Sequence, residues 1–169
     1  MYIPDGLIEY TAVTVNEGIK ISEAKASSST IVNEVLNIAE KVISNAGIED
    51  EVILKLRTPL NETAVASYSA GFDRYYNGLP VMTDGGNTLS AQFENGYITR
   101  FKIRLNNLSL SEAKATPPTV INTIDKLFEK ISSDKPVLID NIYRCYFVNG
   151  EGEYAVRWCI KHDGEITVP

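Results

Sequence analysis

The hydrophobic positions of residues 30 to 46 predict one amphipathic α-helix. Ser28, Ser29 or Thr30 offers a hydroxyl cap before this run, and Gly47 after it is a typical helix stop. We therefore predict a helix that ends at about Ala46. The apolar side chains that recur at the i, i+3, i+4, i+7 spacing of one helix face are Val32, Val35, Leu36, Ala39, Val42 and Ile43.

A second amphipathic stripe follows Thr116-Pro-Pro118. Thr116 is suited to cap a helix, and a proline is accepted in the first helical turn. The segment 132–136, which closes with Pro136, ends the pattern. We predict a second helix between these signals, with a buried face made of Val120, Ile121, Ile124, Leu127, Phe128 and Ile131.

Most of the remaining chain has the β-branched and aromatic composition of strands. Asn77-Gly78, residues 84–87 and residues 94–96 are turn signals between consecutive runs, so we interpret the middle of the chain as an antiparallel meander. The predicted strands cover residues 7–15, 51–57, 63–76, 79–82, 88–93, 97–105, 137–148, 154–162 and 165–168.

The order helix, strands, helix, strands predicts an α+β fold. Because each helix has one apolar stripe to bury, we expect two amphipathic helices packed on a mainly antiparallel, meander-type sheet. Residues 1–169 contain no linker rich in proline, glycine or charge, which indicates a single domain. Its halves, at about residues 30–110 and 116–169, have the same order of elements and suggest a loose duplication.

The net charge of −6 and the pI of about 4.9 disfavour nucleic acid as a partner, because that binding relies on lysine and arginine. A local exception is the run Arg100, Lys102 and Arg104, whose period of two places all three side chains on one face of a strand. This stripe is interpreted as a solvated sheet face, and an anion-binding face is the alternative.

Catalytic and metal-binding patterns are missing from the sequence. His162 is the only histidine and stands at the end of the last long predicted strand, where we expect it to be exposed at the turn Lys161-His-Asp-Gly164. Cys145, Cys159, His162 and Asp163 lack zinc-ligand spacing, and no nucleotide or calcium motif occurs. Of the many carboxylates, no rule selects an acid and base pair. We predict a protein that is not an enzyme and needs no cofactor and no metal.

The two cysteines flank the turn signal Asn149 to Gly152, and the hairpin register decides where their side chains point. A two-residue turn places Cys145 and Cys159 on opposite faces. A three-residue loop pairs Cys145 with Arg157 and leaves the cysteines diagonal on one face, whereas a five-residue loop places them directly opposite. Only the last register favours an easy disulfide, so two unlinked, half-buried thiols are the expectation.

Tyr75 and Tyr76 are the strongest candidates for a contact with a partner. Neighbouring residues of a strand face opposite sides, so one of these tyrosines is expected on a surface beside Arg74 and Asn77. Tyrosine and arginine are enriched where proteins bind each other. With Tyr97, which we place in the same exposed patch, the predicted partner-binding residues are Arg74, Tyr75, Tyr76 and Tyr97.

Several of these segments resemble the C-terminal part of the YycI family and a related pattern in PepSY-like domains. YycI proteins are membrane-anchored, extracytoplasmic regulators of a sensor histidine kinase in a two-component system. The resemblance covers residues 67 to 168 and implies a regulatory domain of the cell envelope that binds a protein partner and has no active site. It is carried by Gly71-Phe-x-x-Tyr-Tyr-Asn-Gly-Leu-Pro-Val81, Asn95-Gly-Tyr-Ile98, Ser111-Glu-Ala113 and Tyr154-x-x-x-Trp158.

The sequence contains no run of about 18 apolar residues that could span a membrane, and residues 1 to 5 do not resemble a signal peptide. Either the protein is cytoplasmic, or an anchor or export segment preceded residue 1; the resemblance favours the second interpretation. Two other functions remain open: a cell-surface enzyme or accessory module that uses carboxylates, and a small-ligand-binding domain that uses a concave sheet surface.

Overall fold

The computed structural model describes residues 6–48, 51–61, 63–83, 87–105, 129, 131, 137–148, 154–162 and 165–167. The chain divides into two compact units. Unit 1 contains residues 1–74 and 85–109, and unit 2 contains residues 75–84 and 110–169.

The first unit is built on antiparallel strands around β7. In order across the sheet, β1, β7, β6 and β4 lie side by side, β2 also pairs with β7, and β3 pairs with β4. A short 3-10 helix, Val15–Glu17, lies between β1 and β2. The strands are β1 (Leu7–Thr11), β2 (Ile19–Lys20), β3 (Ile53–Leu56), β4 (Ser67–Tyr76), β6 (Leu89–Glu94) and β7 (Tyr97–Arg104).

Helix α1 (Ser28–Asn45) buries its apolar stripe against one face of this sheet. Strand residues alternate between the two faces, so every second side chain of β4, β6 and β7 points toward the helix. The burial of these apolar side chains is the main favourable contribution to the stability of unit 1. The fully enclosed members of the core are Ile31, Val35, Ala39, Phe72, Leu89, Phe93, Ile98 and Ile103.

The two ends of α1 are fixed by local chemistry. Ser27 caps the helix by accepting a hydrogen bond from the Thr30 amide at 3.2 Å, one residue earlier than the sequence indicated. Gly47 adopts a φ of 69°, the left-handed conformation that ends helices, as predicted. The buried Ser28 hydroxyl donates to the Asn61 carbonyl at 2.8 Å and accepts from its amide at 2.7 Å, which holds the segment before β4 against the helix start.

The second unit contains β5 (Leu79–Thr83), β8 (Ile139–Val148), β9 (Tyr154–His162) and β10 (Glu165–Thr167). β8 and β9 form a long antiparallel pair, β10 extends it, and β5 runs parallel to β8 with Val81 aligned to Tyr146. One face carries Val81, Tyr146 and Val156, and the other carries Met82 and the two cysteines.

The predicted fold class was wrong. The described residues contain one α-helix and ten strands, and the strand pairing is mixed instead of a simple meander. The meander fails at β5, because β4 pairs with β6 from Ser67 to Phe72 and β5 takes β8 as its parallel neighbour. β5 and β6 are thus not paired with each other. The sequence had suggested a hairpin turn at residues 84–87, of which residues 84–86 lie outside the described residues.

The second predicted helix, after Thr116, lies almost wholly outside the described residues. Of the predicted segment only Glu129 and Ile131 are described, and both have helical conformation. The proposed halves at residues 30–110 and 116–169 share a border with the observed units near residue 110, but residues 75–84 belong to unit 2. The single-domain assignment and its division into similar halves stay predictions.

Cys145 and Cys159 form a disulfide, contrary to the expectation of unlinked thiols. Cys145 is aligned with Arg157, which is the register of a three-residue loop and leaves the cysteines diagonal on one face. Their Cα atoms are 6.5 Å apart, within the span of a disulfide. The right-handed twist of a two-stranded ribbon shortens one diagonal, which the argument from a flat hairpin neglected.

We expect the free energy of unfolding of the Cys145→Ala/Cys159→Ala double variant to fall by about 3 kcal/mol. A bridge that closes a loop of roughly 15 residues lowers the conformational entropy of the unfolded chain, and this raises its free energy by about that value. Urea denaturation of the two proteins measures the difference.

Both cysteines are 0% exposed, so a reductant should cleave the disulfide slowly in the folded protein and quickly once urea has unfolded it. Two thiols that react in urea without any reductant would contradict the bridge.

Candidate functional site

The face of the unit 1 sheet that is turned away from α1 is lined by polar side chains. On β7, Phe101 and Ile103 are buried against the helix side, so their neighbours Arg100 and Lys102 point to the opposite face. The same alternation directs Ser90 and Gln92 of β6, and Ser69 and Gly71 of β4, to this outer face.

The strand register aligns these side chains in rows across four strands. Lys102 lies between Glu9 of β1 and Ser90 of β6, and Ser90 is in turn aligned with Gly71 of β4. In the next row Arg100 lies between Thr11 and Gln92, and Gln92 is aligned with Ser69. Two basic side chains therefore adjoin small polar ones that leave space above the sheet.

These rows border an open hollow with a volume of about 350 Å³, the size of a small-molecule site. We call it the polar hollow. Its polar lining comes from Glu9, Thr58, Ser69, Asn87, Ser90, Gln92, Arg100 and Lys102.

Gly71 and Asn87 define one wall of the polar hollow. A Cβ atom at Gly71 would lie 2.5 Å from the Asn87 Nδ2, so the missing side chain is what lets the asparagine amide approach the strand. The Gly71 amide donates to the Thr58 hydroxyl at 2.9 Å. Among the described residues the Asn87 Oδ1 has no hydrogen-bond donor although it is buried, which leaves an unfilled acceptor at this wall.

The charges of the polar hollow are not mutually paired. Neither Arg100 nor Lys102 forms an ion pair with a described carboxylate, although Glu9 borders the same space. The Gln92 amide donates to the Glu94 carboxylate, so that acid is engaged within β6. The arrangement is a pair of accessible cations beside hydroxyl and amide groups.

An ion pair between β3 and β4 lies on the same outer face. Following β3, Arg57 donates from Nε to the Asp73 Oδ2 at 2.8 Å and from Nη2 to the Oδ1 at 2.6 Å. The Asp73 side chain is 14% exposed, and its burial raises the pKa of the carboxyl, while the Arg57 charge and hydrogen bonds act to lower the pKa.

The predicted partner-binding residues are distributed over both units. Arg74 is 0% exposed, because its side chain follows Phe72 on the helix-facing side of β4. The sequence had suggested that its guanidinium reaches solvent, and in the structure it does not. Tyr97 is partly exposed in unit 1, and Tyr75 and Tyr76 are partly exposed in unit 2. Tyr76 packs edge-on against Tyr146 with ring centroids 5.5 Å apart. A role of the tyrosines in partner contact stays a prediction.

The described residues contain no cluster of three or more histidine, cysteine, aspartate or glutamate side chains able to hold a metal ion. His162 lies in β9 and is half-buried, not in the turn that the sequence suggested, and Asp163 lies outside the described residues. In the part of the chain that the structure describes, no helix combines the length and the apolar character that a membrane span requires.

Comparison with family models, with curated proteins and with solved structures finds no match for this chain.

The sequence pointed to Arg100 and Lys102 but missed the rest of the polar hollow. Ser69, Asn87 and Ser90 carry no motif, and they join the basic pair only through the register of β4, β6 and β7. The one available signal was the row of small polar residues at alternate positions of two predicted strands, which indicates an uncovered sheet face.

Asp73 predicts a dependence of stability on pH. Because its folded pKa lies above the unfolded value, protonated Asp73 is favoured in the native state, so stability falls as pH rises from about 4 through the folded pKa. Relative to Asp73→Asn, the wild type should therefore lose stability over this window and then level off. Urea denaturation of both proteins from pH 3 to pH 8 measures this. Arg57→Gln should enlarge this loss of stability, because it removes the charge that lowers the pKa of Asp73. If the wild type instead gains stability relative to Asp73→Asn as pH rises, the raised pKa of Asp73 is contradicted.

Proposed function

We propose that this chain is a non-catalytic binding domain that acts outside the cytoplasm and takes a small polar ligand in the polar hollow of unit 1. The observation that carries the proposal is the hollow itself. One face of the sheet is closed by α1, and the other presents accessible cations beside small polar groups around about 350 Å³ of space. Small-ligand sites are concave and have a few polar groups that fix orientation.

The disulfide supports a location outside the cytoplasm. Bridges such as Cys145–Cys159 form and persist in oxidising compartments, whereas cytosolic thiols are kept reduced. This agrees with the extracytoplasmic location that the YycI and PepSY resemblance implies.

The groups around the hollow support binding over catalysis. The hydroxyls of Ser69 and Ser90 donate no hydrogen bond to a described histidine or carboxylate, so among the described residues neither has the base that activates a serine nucleophile. The hollow offers charge and hydrogen bonds for holding a molecule in place.

A binding screen tests this proposal. We expect pools of neutral sugars, amino acids and organic acids to contain compounds that shift amide NMR signals of residues 69–71, 90–92 and 100–102. Ser90→Tyr should abolish these shifts, because the ring fills the hollow from an outward-facing strand position. Ser67→Tyr is the matched control, since Ser67 faces the same side of the sheet but does not line the hollow. Unchanged binding by Ser90→Tyr, or no shift with any pool, would refute it.

A second candidate is the regulatory function, in which the domain contacts a sensor kinase or another envelope protein. It is supported by the partial exposure of Tyr75 and Tyr97 on β4 and β7. A regulator of this kind works by binding one state of its partner more tightly than another.

We expect Tyr75→Ala and Tyr97→Ala each to reduce retention of such a partner from envelope extracts, while both variants still unfold cooperatively. Tyr76→Ala is a less clean test, because it removes the ring contact with Tyr146 and so should lower stability. Tyr76→Phe keeps that contact and serves as the control. Full retention by both alanine variants would refute a partner role for the tyrosines.

A further inference from the structure

The ligand of the polar hollow can be specified further by its charge. Resting on the proposed function, we infer that the hollow binds a small hydroxylated monoanion, with its carboxylate group held between Arg100 and Lys102. The hollow combines accessible cations with a concave polar surface.

The spacing of the two cations suits one oxyanion. Arg100 and Lys102 are two residues apart on the same strand face, which separates their Cβ atoms by about 7 Å. Both side chains are long enough to converge on a group between them. The arginine fork matches two oxygens of a carboxylate or phosphate, and the lysine ammonium adds a point charge.

The local charge favours an anion although the whole chain is acidic. The lining of the hollow contains two basic side chains and one acidic side chain, Glu9, so its sum is positive where the net charge of the chain is −6. A concave surface that carries one sign of charge concentrates ions of the opposite sign. The excess of one positive charge matches a ligand with one negative charge. The Glu9 carboxylate repels a second negative charge on the ligand.

The remaining lining groups favour a body that carries hydroxyls. Ser69 and Ser90 each supply a hydroxyl that both donates and accepts, and Asn87 and Gln92 border the same space. A ligand hydroxyl exchanges hydrogen bonds with these serines. An apolar ligand would displace their water without replacing its hydrogen bonds, which carries a cost.

Glu9 supplies a competing explanation, because its carboxylate is aligned with Lys102 across β1 and β7. If Glu9 were the natural counterion of Lys102, the hollow would need no anion. In the structure the two side chains do not form an ion pair. Glu9→Gln separates the two explanations, since removal of a repelling carboxylate should tighten binding of an anion.

Three probes of nearly equal size test the charge of the ligand: glucose, glucosamine and glucuronate, which are neutral, cationic and anionic at pH 7. Titration with NMR detection should give the strongest binding at residues 69–71, 90–92 and 100–102 for glucuronate. Arg100→Gln and Lys102→Gln should each weaken glucuronate binding about tenfold, as expected when a charged hydrogen bond is lost. Arg104→Gln, which removes the same charge from the same stripe outside the hollow, should leave binding unchanged.

Inorganic phosphate and acetate, titrated separately, show whether the oxyanion alone is sufficient for contact with Arg100 and Lys102. If glucose or glucosamine binds in the hollow as tightly as glucuronate, the anion assignment is overturned while the proposed binding function stands. If Arg104→Gln weakens glucuronate binding as much as the other two variants do, the effect comes from the overall charge of the protein. That result would also overturn the anion assignment. If no anion shifts the signals of the hollow, the assignment is wrong, and the pooled screen decides the proposed function independently.

Discussion

The packing of α1 against one face of the unit 1 sheet determines which side chains of β4, β6 and β7 meet solvent. Once Phe72, Phe93 and Ile103 are committed to the helix side, the period of two sends their neighbours to the outer face. A shift of one residue in the register of any strand would exchange the two faces, so the buried side fixes the composition of the exposed side. The polar hollow is thus a consequence of the core.

Local signals predicted local structure well. The stripe of α1 and its stop at Gly47 follow from spacing and backbone chemistry, and the same holds for two tight turns. Asn77 and Gly78 have φ values of 47° and 78°, and Asn95 and Gly96 have 46° and 95°, which are conformations that these residue types tolerate. Such features depend on a few neighbouring residues, and all of these are visible in the sequence.

Strand partners were not predictable in the same way. Nothing in Leu79 to Thr83 indicates that β5 pairs with β8, more than fifty residues later, instead of with its neighbour β6. The disulfide has the same origin, because the three-residue register was among those considered but the closeness of its diagonal depends on sheet twist. Arg74 shows the limit for site residues: alternation along β4 was clear, but which face is covered depends on where α1 packs.

The double hydrogen bond between Ser28 and Asn61 has a consequence for how unit 1 opens. The segment 58–61 is attached at three points: to the helix start through Ser28, to the Tyr68 hydroxyl through the Pro59 carbonyl, and to Gly71 through the Thr58 hydroxyl. Thr58 also borders the hollow. Fraying of the first turn of α1 would therefore loosen a wall on the far side of the sheet, and amide hydrogen exchange at residues 28–31 and 69–71 would share one opening event.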